Sequence, residues 1–569
     1  MARVATPRRT TLQAGTWKGV RDTVEPFDDT PDLFVDATNL FIPDPLGGSA
    51  AFSRPGFGLL HNKQPLLTSE VPFRGQLVYT HIAVDGTAYN FLVMAGRLFR
   101  VSNDLATFTD VTPAGSPISG ADGVRVKMVS MADALIVSDG VNRPWIASNL
   151  SATPITATPI DYNGSGVSWA AQDITVWGGA LFAVLKQVAG VARQSDLSWS
   201  EPGTPATGWQ QLNFDNNWTL EQTGGSPIYA IVGTNVALYY FRQRSIGAIA
   251  GAVGPDLQTT STHDAISFNV GTIAPQSIQL FGNYIYFTDA IGRPWRLALG
   301  GVPEPIWLNM RAQVDAAQTG FGSATQTVTT SAFEPTLNLY LVAIWSPEPA
   351  SATPPTQMYA FDARSGIYLG RWNIKGPNGI GIDAMGTFLD SFGGARLIVL
   401  GTKDSGGPGV ANGYVWSFNA GRGTFASALT TQVIAPVTYI TTEGSARRIM
   451  TESAPAVWLD DDQLPELTAR TQRLGYQADV VWLVDRATVI TGNPAPLEVS
   501  MISSTVSGVV QGTPTPSPSA DRTWRLVCGC RVFGRGTEVK VRVLDANTQW
   551  ALNRIQIVAT ASQARPEDA

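Results

Sequence analysis

Runs of about four to eight β-branched and aromatic residues, each closed by Gly, Asn, Asp or Pro, follow one another along most of this chain. Helical spacing of apolar residues is nearly absent, and the best short candidate is RAQVDAAQ, Arg311 to Gln318. The pattern predicts strands joined by turns. The strongest strand–turn–strand units are FLVMAGRLFRV, ALIVSDGVNRPWIA, LFAVLKQVAGVARQSDLSWS, ALYYFRQRSIGAIAG and YIYFTDAIGRPWRLA, then the pairs LYLVAIW with QMYAFDARSGIYLGRW and LIVLG with GYVWSFN. Their first strands begin near residues 91, 134, 181, 237, 284, 339 and 397, a spacing of about 45 to 60 residues.

Strands alone, repeated at such a spacing, are the signature of β-propeller blades. One blade is a small twisted sheet that cannot bury both faces by itself, and stacking blades around an axis does so. The expected fold is therefore all-β, with a six- or seven-bladed β-propeller over residues 36–425 after an N-terminal arm, 1–35. The blade number stays open because an N-terminal strand can complete the last blade. Separate β-sandwiches are the competing reading; the even spacing and the lack of a linker between residues 90 and 420 oppose it. From about residue 426 the rhythm changes. YQADVVWLVD, LEVSMIS, TWRLVCGCRVF, TEVKVRVLD and NRIQIVATA predict a C-terminal antiparallel β-sandwich-like domain over 426–560, with a loose tail, 561–569. In TEVKVRVL, Val539, Val541 and Val543 share one face and Lys540 and Arg542 the other, as in a half-buried strand. GTPTPSPSAD, Gly512 to Asp521, reads as a flexible excursion within this domain.

One short phrase occurs twice. SDGVNRPW, Ser138 to Trp145, and TDAIGRPW, Thr288 to Trp295, each follow an apolar run. The expectation is a pair of equivalent hairpins on two blades about half a turn apart. Asp139 and Asp289 would cap the turns, Arg143 and Arg293 would hold them, and Trp145 and Trp295 would pack between blades. Proline is tolerated at the start of the return strand.

Composition narrows the function. Of 569 residues, 44% are hydrophobic and only 15% charged, against about 25% charged in ordinary domains. The 56 Gly, 37 Pro and 16 Trp suit many short strands and tight turns. A net charge of −6 argues against wrapping nucleic acid, which needs a basic surface to displace counterions. Two cysteines, Cys528 and Cys530, are too few for a disulfide framework or a cysteine zinc site. The N-terminal MARVATPRRTT lacks the apolar core of a signal peptide, and no run is long and apolar enough to span a membrane. No nucleophile elbow, phosphate loop, dinucleotide fingerprint or HExxH motif occurs. The adjacent His263 and Asp264 read as a surface turn, and Asp460, Asp461 and Asp462 as a solvated loop. Trp169, Trp177, Trp199, Trp209, Trp218, Trp345, Trp372 and Trp416 read as blade core. No catalytic, cofactor-binding or metal-ligating residue is assigned, and no enzyme is expected. A glycoside hydrolase needs only two carboxylates across a cleft, so a polysaccharide depolymerase stays among the alternatives.

Several segments together resemble a known family. DATNLFIPDPLGGSAAFSRPGFGLL, Asp36 to Leu60, has an Ala-x-Asn strand, a turn and an Arg-Pro-Gly. ISFNVGTIAPQSIQLFGNYIYFTDAIGRPWRL carries a Gly-x-x-Ala-Pro-x-Ser turn, Gly271 to Ser277, before its strand. LFAVLKQVAGVARQSDLSWSEPGTPATGWQQLNF and SPIYAIVGTNVALYYFRQRSIGAIAG look like further blade units, and GCRVFGRGTEVKVRVLDANTQWALNRIQI like a closing Gly-Arg-Gly strand pair. These resemble the tail nozzle or hub proteins of short-tailed bacteriophages, the packaged-DNA stabilisation proteins, over roughly residues 30 to 560. The resemblance implies a virion structural protein that forms a homohexameric ring below the portal-adaptor protein. It implies assembly in the host bacterial cytoplasm, contact with tail fibres or spikes, and double-stranded DNA passing through the lumen without sequence-specific binding. Such a ring retains packaged DNA and opens for ejection. A propeller-based receptor- or glycan-binding tail accessory protein is the alternative.

Overall fold

The computed structural model describes residues 9–15, 17–21, 33–54, 57–60, 66–69, 75–115, 118–121, 124–162, 167–202, 211–212, 217–220, 226–311, 329–344, 357–374, 381–391, 393–404, 411–418, 437–443, 446–452, 467–471, 480–492, 494–502, 507–516, 523–534, 537–544 and 550–563. Its first body is a β-propeller of seven four-stranded antiparallel sheets, over residues 75–110, 127–159, 169–219, 228–267, 279–305, 330–373 and 381–418. Each blade starts at the axis and meanders outward. The innermost strands follow one another around a ring: Gly75–Ile82 touches Lys127–Met131, which touches Trp169–Trp177, which touches Ile228–Gly233. A 3₁₀ turn, Pro275–Ser277, fills the next position, touching both Ile228–Gly233 and Thr330–Glu334. Gly381–Leu389 then packs on Gly75–Ile82 and closes the ring. The seventh sheet takes its outermost strand from the start of the chain, with Phe57–Leu59 antiparallel to Trp416, Ser417 and Phe418.

The seven starting points of the sequence rhythm all fall on the second strand of a blade: Ala88–Met94, Ala134–Ser138, Ala180–Val188, Leu238–Arg242, Tyr284–Thr288, Leu339–Ala343 and Ala395–Asp404. The reason is burial. A second strand packs on a neighbouring blade through each face, so ALIVS, LYYFR and LYLVA are buried at every position and read as continuous apolar runs. The two repeated phrases form the turn between second and third strands in the second and fifth blades, three blades apart in a ring of seven. The helical candidate 311–318 lies outside the described residues beyond Arg311, which follows a 3₁₀ turn, Trp307–Met310.

The second body is a two-sheet sandwich built from both ends of the chain. One of its sheets continues the sixth blade. Tyr368–Asn373 is followed in order by Leu33–Thr38, Thr468–Thr471, Glu538–Val543, Leu497–Ile502 and Ser507–Gly512, so nine strands run from propeller to sandwich, and Gly19–Val20 beside Leu33–Thr38 makes the sheet ten-stranded. The other sheet orders Leu40–Phe41, Ala51–Ser53, Ala551–Gln563, Val480–Thr491, Trp524–Gly534 and Thr515–Pro516. Arg9–Gly15 joins it against residues 554–560. The expected division between an arm ending at 35 and a propeller starting at 36 is therefore not a break in the structure, because Leu33–Thr38 runs across it inside a sheet. Likewise Ala551–Gln563 runs past residue 560, and Thr515 and Pro516 of the expected excursion pair with Trp524 and Arg525. Val539, Val541 and Val543 are buried and Lys540 and Arg542 exposed, which is the alternation their order predicts.

The bodies meet at a buried polar node. Asn39 adopts a left-handed conformation, φ 57°, and its backbone N–H donates to the Arg371 carbonyl of the sixth blade at 2.7 Å. Its side-chain oxygen accepts from Asn373 N–H at 2.9 Å and from Arg54 Nε at 2.9 Å. Arg54, fully buried, also donates to the Asn373 carbonyl, and its guanidinium lies 4.9 Å from the Phe57 ring centroid. Replacing Arg54 with Met leaves these acceptors short of a donor, at about 1–3 kcal/mol for each buried group. Arg54→Met is expected to lower unfolding free energy by about 3 kcal/mol. Asn39→Ala is expected to cost about 1 kcal/mol more than Asn39→Gly, because alanine disfavours the left-handed region. Chemical denaturation followed by tryptophan fluorescence measures both.

Candidate functional site

The innermost strands of the first, second, sixth and seventh blades line a cavity of about 350 Å³ together with Pro275, Gln276, Ile278 and Gln279 of the fifth. The segment Gly271 to Ser277 controls it. A side chain at Gly271 would place its Cβ 1.9 Å from the Arg242 carbonyl oxygen, so only glycine lets the chain pass the fourth blade here. Thr272 N–H donates to that same carbonyl at 2.8 Å. Ser277 Oγ donates to the Ala274 carbonyl at 2.7 Å and accepts from Thr288 N–H at 3.1 Å, while Tyr340 donates to the Ser277 carbonyl at 2.9 Å. This folding of the turn aims Gln276 across the axis. Its Nε2 donates to the carbonyls of Gln76, at 2.8 Å, and Val126, at 3.4 Å, on the first and second blades. The Gln276 backbone carbonyl accepts from Ser331 Oγ of the sixth blade at 3.1 Å.

Buried acceptors join neighbouring blades around this centre. Asp383 Oδ2 of the seventh blade accepts from Gly75 N–H of the first at 3.1 Å. Asp173 Oδ2 of the third accepts from Ile231 N–H of the fourth at 2.9 Å, and its Oδ1 lies 3.8 Å from Lys127 Nζ of the second. Burial pushes the Asp173 carboxyl above the usual carboxylate range, with Lys127 opposing. Asn90 of the first blade donates to the Leu389 carbonyl at 2.8 Å and accepts from Leu389 N–H at 3.1 Å. These groups hold blade register, since each stands on one innermost or second strand and bonds the backbone of another blade.

One cluster has the parts of a catalytic pair. Ser130 Oγ lies 2.9 Å from His81 Nδ1 and 2.7 Å from the Tyr79 hydroxyl. A nucleophile and base at this distance also need a third group that orients the base. His81 is fully buried, and its Nε2 has no hydrogen-bond partner among the described residues. Asp133, whose charge acts on His81, accepts a hydrogen bond from Val84 N–H at 2.8 Å instead. The geometry is that of a blade-to-blade contact between the first and second innermost strands. Among the described residues no group of three His, Cys, Asp or Glu side chains could hold a metal ion, and no helix is long and apolar enough to cross a membrane.

The repeated turns differ in detail. Asp289 Oδ1 accepts from the backbone N–H groups of Ile291 and Arg293, both at 3.0 Å, and Oδ2 accepts from Arg293 Nε at 2.6 Å and Trp295 Nε1 at 3.0 Å. Asp139 Oδ1 accepts from Val141 and Asn142 N–H, at 2.9 and 2.7 Å. Its Oδ2 accepts from Asn142 Nδ2 and from Ser119 N–H, at 2.6 and 2.8 Å. Arg143 turns away, donating to the Val167 carbonyl at 3.0 Å and pairing with Asp161 at 3.1 Å. Asparagine at 142, where the other copy has Gly292, supplies the donor that arginine supplies there. Trp145 is buried between the first and second blades, and Trp295 is half-buried between the fourth and fifth. Asp390 and Arg396 make a second Asp–Arg pair, 3.1 Å apart, at the turn between the first and second strands of the seventh blade; Asp-x₅-Arg around Gly-Gly is the sequence signal that marks it. Gln276, Asp173 and Asp383 had no such signal, because their partners are backbone groups on distant strands.

Other expected positions fall as follows. His263 and Asp264 lie in the outer strand Thr262–Ser267 rather than in a turn, and the His263 ring packs against Trp218 and Tyr240. Register with Gly247 and Ile249 keeps this segment extended. Trp169, Trp177, Trp199, Trp372 and Trp416 are buried; Trp218 is half-buried, and Trp209, Trp345 and Asp460–Asp462 lie outside the described residues. Cys528 is buried.

No protein-family model and no curated protein matches this chain. Solved structures similar to it include BamB from Moraxella catarrhalis, at 8% identity over 64% of this chain and 98% of that one, TM-score 0.33. The computationally designed Ika8 protein matches at 11% identity over 62% and 99%, TM-score 0.32. The Pan2 WD40 domain of Neurospora crassa matches at 9% identity over 64% and 95%, TM-score 0.33. Likeness at this level carries no argument, and the propeller rests on its own strand pairing.

Burial holds the His81 pKa below the ordinary imidazole value, with Asp133 opposing. As pH falls, the unfolded chain therefore takes up this proton first. Stability is complete above about pH 6.5 and declines below it, until the folded imidazole also titrates. The slope reaches at most about 1.4 kcal/mol per pH unit. Melting curves from about pH 7.5 to about pH 5 should show this loss in wild type and a smaller one in His81→Gln. Identical pH dependence in the two would remove His81 as its source.

Proposed function

We propose that this chain is a structural subunit of a phage particle, a tail nozzle or hub protein whose copies form a ring around the DNA exit channel. The observation that carries the reading is where the resemblance-bearing residues lie. Asn39 and Arg54, from the Ala-x-Asn and Arg-Pro-Gly segments, form the buried node between propeller and sandwich. Gly271, Ala274, Pro275 and Ser277, from the second motif, form the turn that sets Gln276 across the axis. A pattern shared for structural reasons marks residues at joints, and these are joints.

Two further features support it. Inside the propeller Gln276 reaches from the fifth blade to the first and second, beside a cavity of only about 350 Å³. A DNA duplex, whose major groove alone is about 12 Å wide, has no path there, so a conduit requires a lumen between copies. The chain is also low in charge and net negative, −6. Each neutralised phosphate adds salt-dependent affinity, and a wall that conducts DNA works better without it. The function is mechanical: six copies assemble beneath the portal-adaptor protein, retain the packaged genome and open for ejection, with fibres or spikes attached outside.

Negative-stain imaging and native mass spectrometry of the purified protein are expected to show a sixfold ring. A short duplex is expected to run unshifted with it in a gel assay at low salt. Cryo-microscopy of the particle that placed the protein away from the tail axis would overturn the proposal.

A further inference from the structure

The outermost strand of a sheet carries a row of backbone N–H and C=O groups without ladder partners, and such an edge recruits another strand unless it is short, interrupted or charged. The blades are protected unevenly. The sixth is covered by Leu33–Thr38, and the seventh ends in the three-residue Phe57–Leu59. The first, second, third and fifth end in Phe108–Asp110, Thr158–Pro159, Asn217–Thr219 and Pro303–Pro305, none longer than three residues and two of them containing proline. The fourth ends in Thr262–Ser267, six residues with no proline, lysine or arginine. Its first four residues are exposed, and Phe268 beyond it is 65% exposed. Among the described residues no strand pairs with its outer side. The His263 ring, held against Trp218 and Tyr240, keeps this edge ordered.

A second open edge ends the ten-stranded sheet. Ser507–Gly512 also has six residues, with no proline and no charge, and its Val509 is 60% exposed. Of the remaining long strands with an open outer side among the described residues, Arg9–Gly15 contains Arg9, Trp524–Gly534 contains Arg531 and Ala446–Glu452 contains Arg447 and Arg448, while Val437–Glu443 has no arginine and carries Glu443. A cationic side chain on an edge repels an incoming strand. Thr262–Ser267 and Ser507–Gly512 match in length and both lack a cationic side chain, and Asp264 is the one carboxylate on either.

We propose that Thr262–Ser267 of one copy takes Ser507–Gly512 of the next as a fifth strand, so that copies join head to tail through backbone hydrogen bonds. The inference rests on the ring reading above and specifies its contact. The two edges belong to different bodies of the chain, so the contact is heterologous, the kind that propagates and closes into a ring. Side chains of alternate residues lie on either face of the new pairing, and exposed Val509 and Phe268 supply its apolar flank.

Full-length wild type, Ala265→Lys and Val509→Lys are compared by native mass spectrometry and sedimentation over a range of concentrations. Both positions are exposed, and circular dichroism checks that the variants fold. Wild type is expected to form rings. Each variant alone is expected to associate at least about tenfold more weakly, as a charge on an open edge requires. An equimolar mixture of the two is expected to stop at heterodimers, because each variant keeps one intact edge. In wild type, assembly is expected to slow amide exchange in 262–267 and 507–512. Rings that persist in both variants, or exchange unchanged in those two segments, overturn the edge pairing and leave the ring reading standing. A wild type that stays monomeric at every concentration overturns both.

Discussion

A blade of a propeller is stable only when the blades on both sides are in place, so the ring must close, and closure depends on a strand that comes from the other end of the chain. Here it is Phe57–Leu59, laid antiparallel to the end of the seventh blade. The closing strand is locked by what surrounds it. Phe57 lies 5.1 Å from the Phe418 ring, Phe418 stacks on Trp372 at 5.5 Å, and the Arg54 guanidinium covers Phe57 at 4.9 Å. Trp372 donates through its indole N–H to the Leu40 carbonyl at 2.8 Å. Aromatic pairs of this kind contribute about 0.5–1.5 kcal/mol each beyond the area they bury. The same few residues therefore close the propeller, seat the sandwich and anchor the N-terminal segment.

The sandwich follows from that closure. Once Phe57–Leu59 is committed to the seventh blade, the residues before it emerge beside the outer edge of the sixth. Leu33–Thr38 covers that edge and turns it into the middle of a ten-stranded sheet. Trp17 stacks on Phe34 at 4.1 Å and bonds the Leu552 carbonyl at 3.0 Å, which ties the chain's first strands to its last. Propeller and sandwich thus share a sheet and a hydrophobic core. A shared sheet resists hinging between the two bodies.

Polar groups inside the propeller act on register more than on chemistry. Asp173, Asp383, Asn90 and Gln276 each bond backbone groups of another blade, and buried polar groups need such partners to avoid a large desolvation cost. Asp139, Asp289 and Asp390 do the same for turns. These buried aspartates hold strands and turns in place. The Ser130–His81 contact belongs with these, since Nε2 of the base is buried without a partner among the described residues.

The sequence alone determined the all-β class, a strand rhythm of six or seven blades, the alternation of Val539, Val541 and Val543, and the turn role of Asp139 and Asp289. All of these are local. A second strand buried on both faces must be apolar throughout, and a turn needs its acceptor within a few residues, so both leave a readable mark. The tertiary structure decided the rest. It placed Arg9–Gly15 beside residues 554–560, gave Phe57–Leu59 to the last blade, and turned Arg143 away from Asp139 toward Asp161. It also set Gln276 across the axis, and it made His263 and Asp264 part of an open edge. Each depends on a partner that the sequence gives no spacing for: a backbone carbonyl on another blade, or a strand at the far end of the chain. Short-range periodicity reports which face of a residue is buried, but only the closed ring decides what it is buried against.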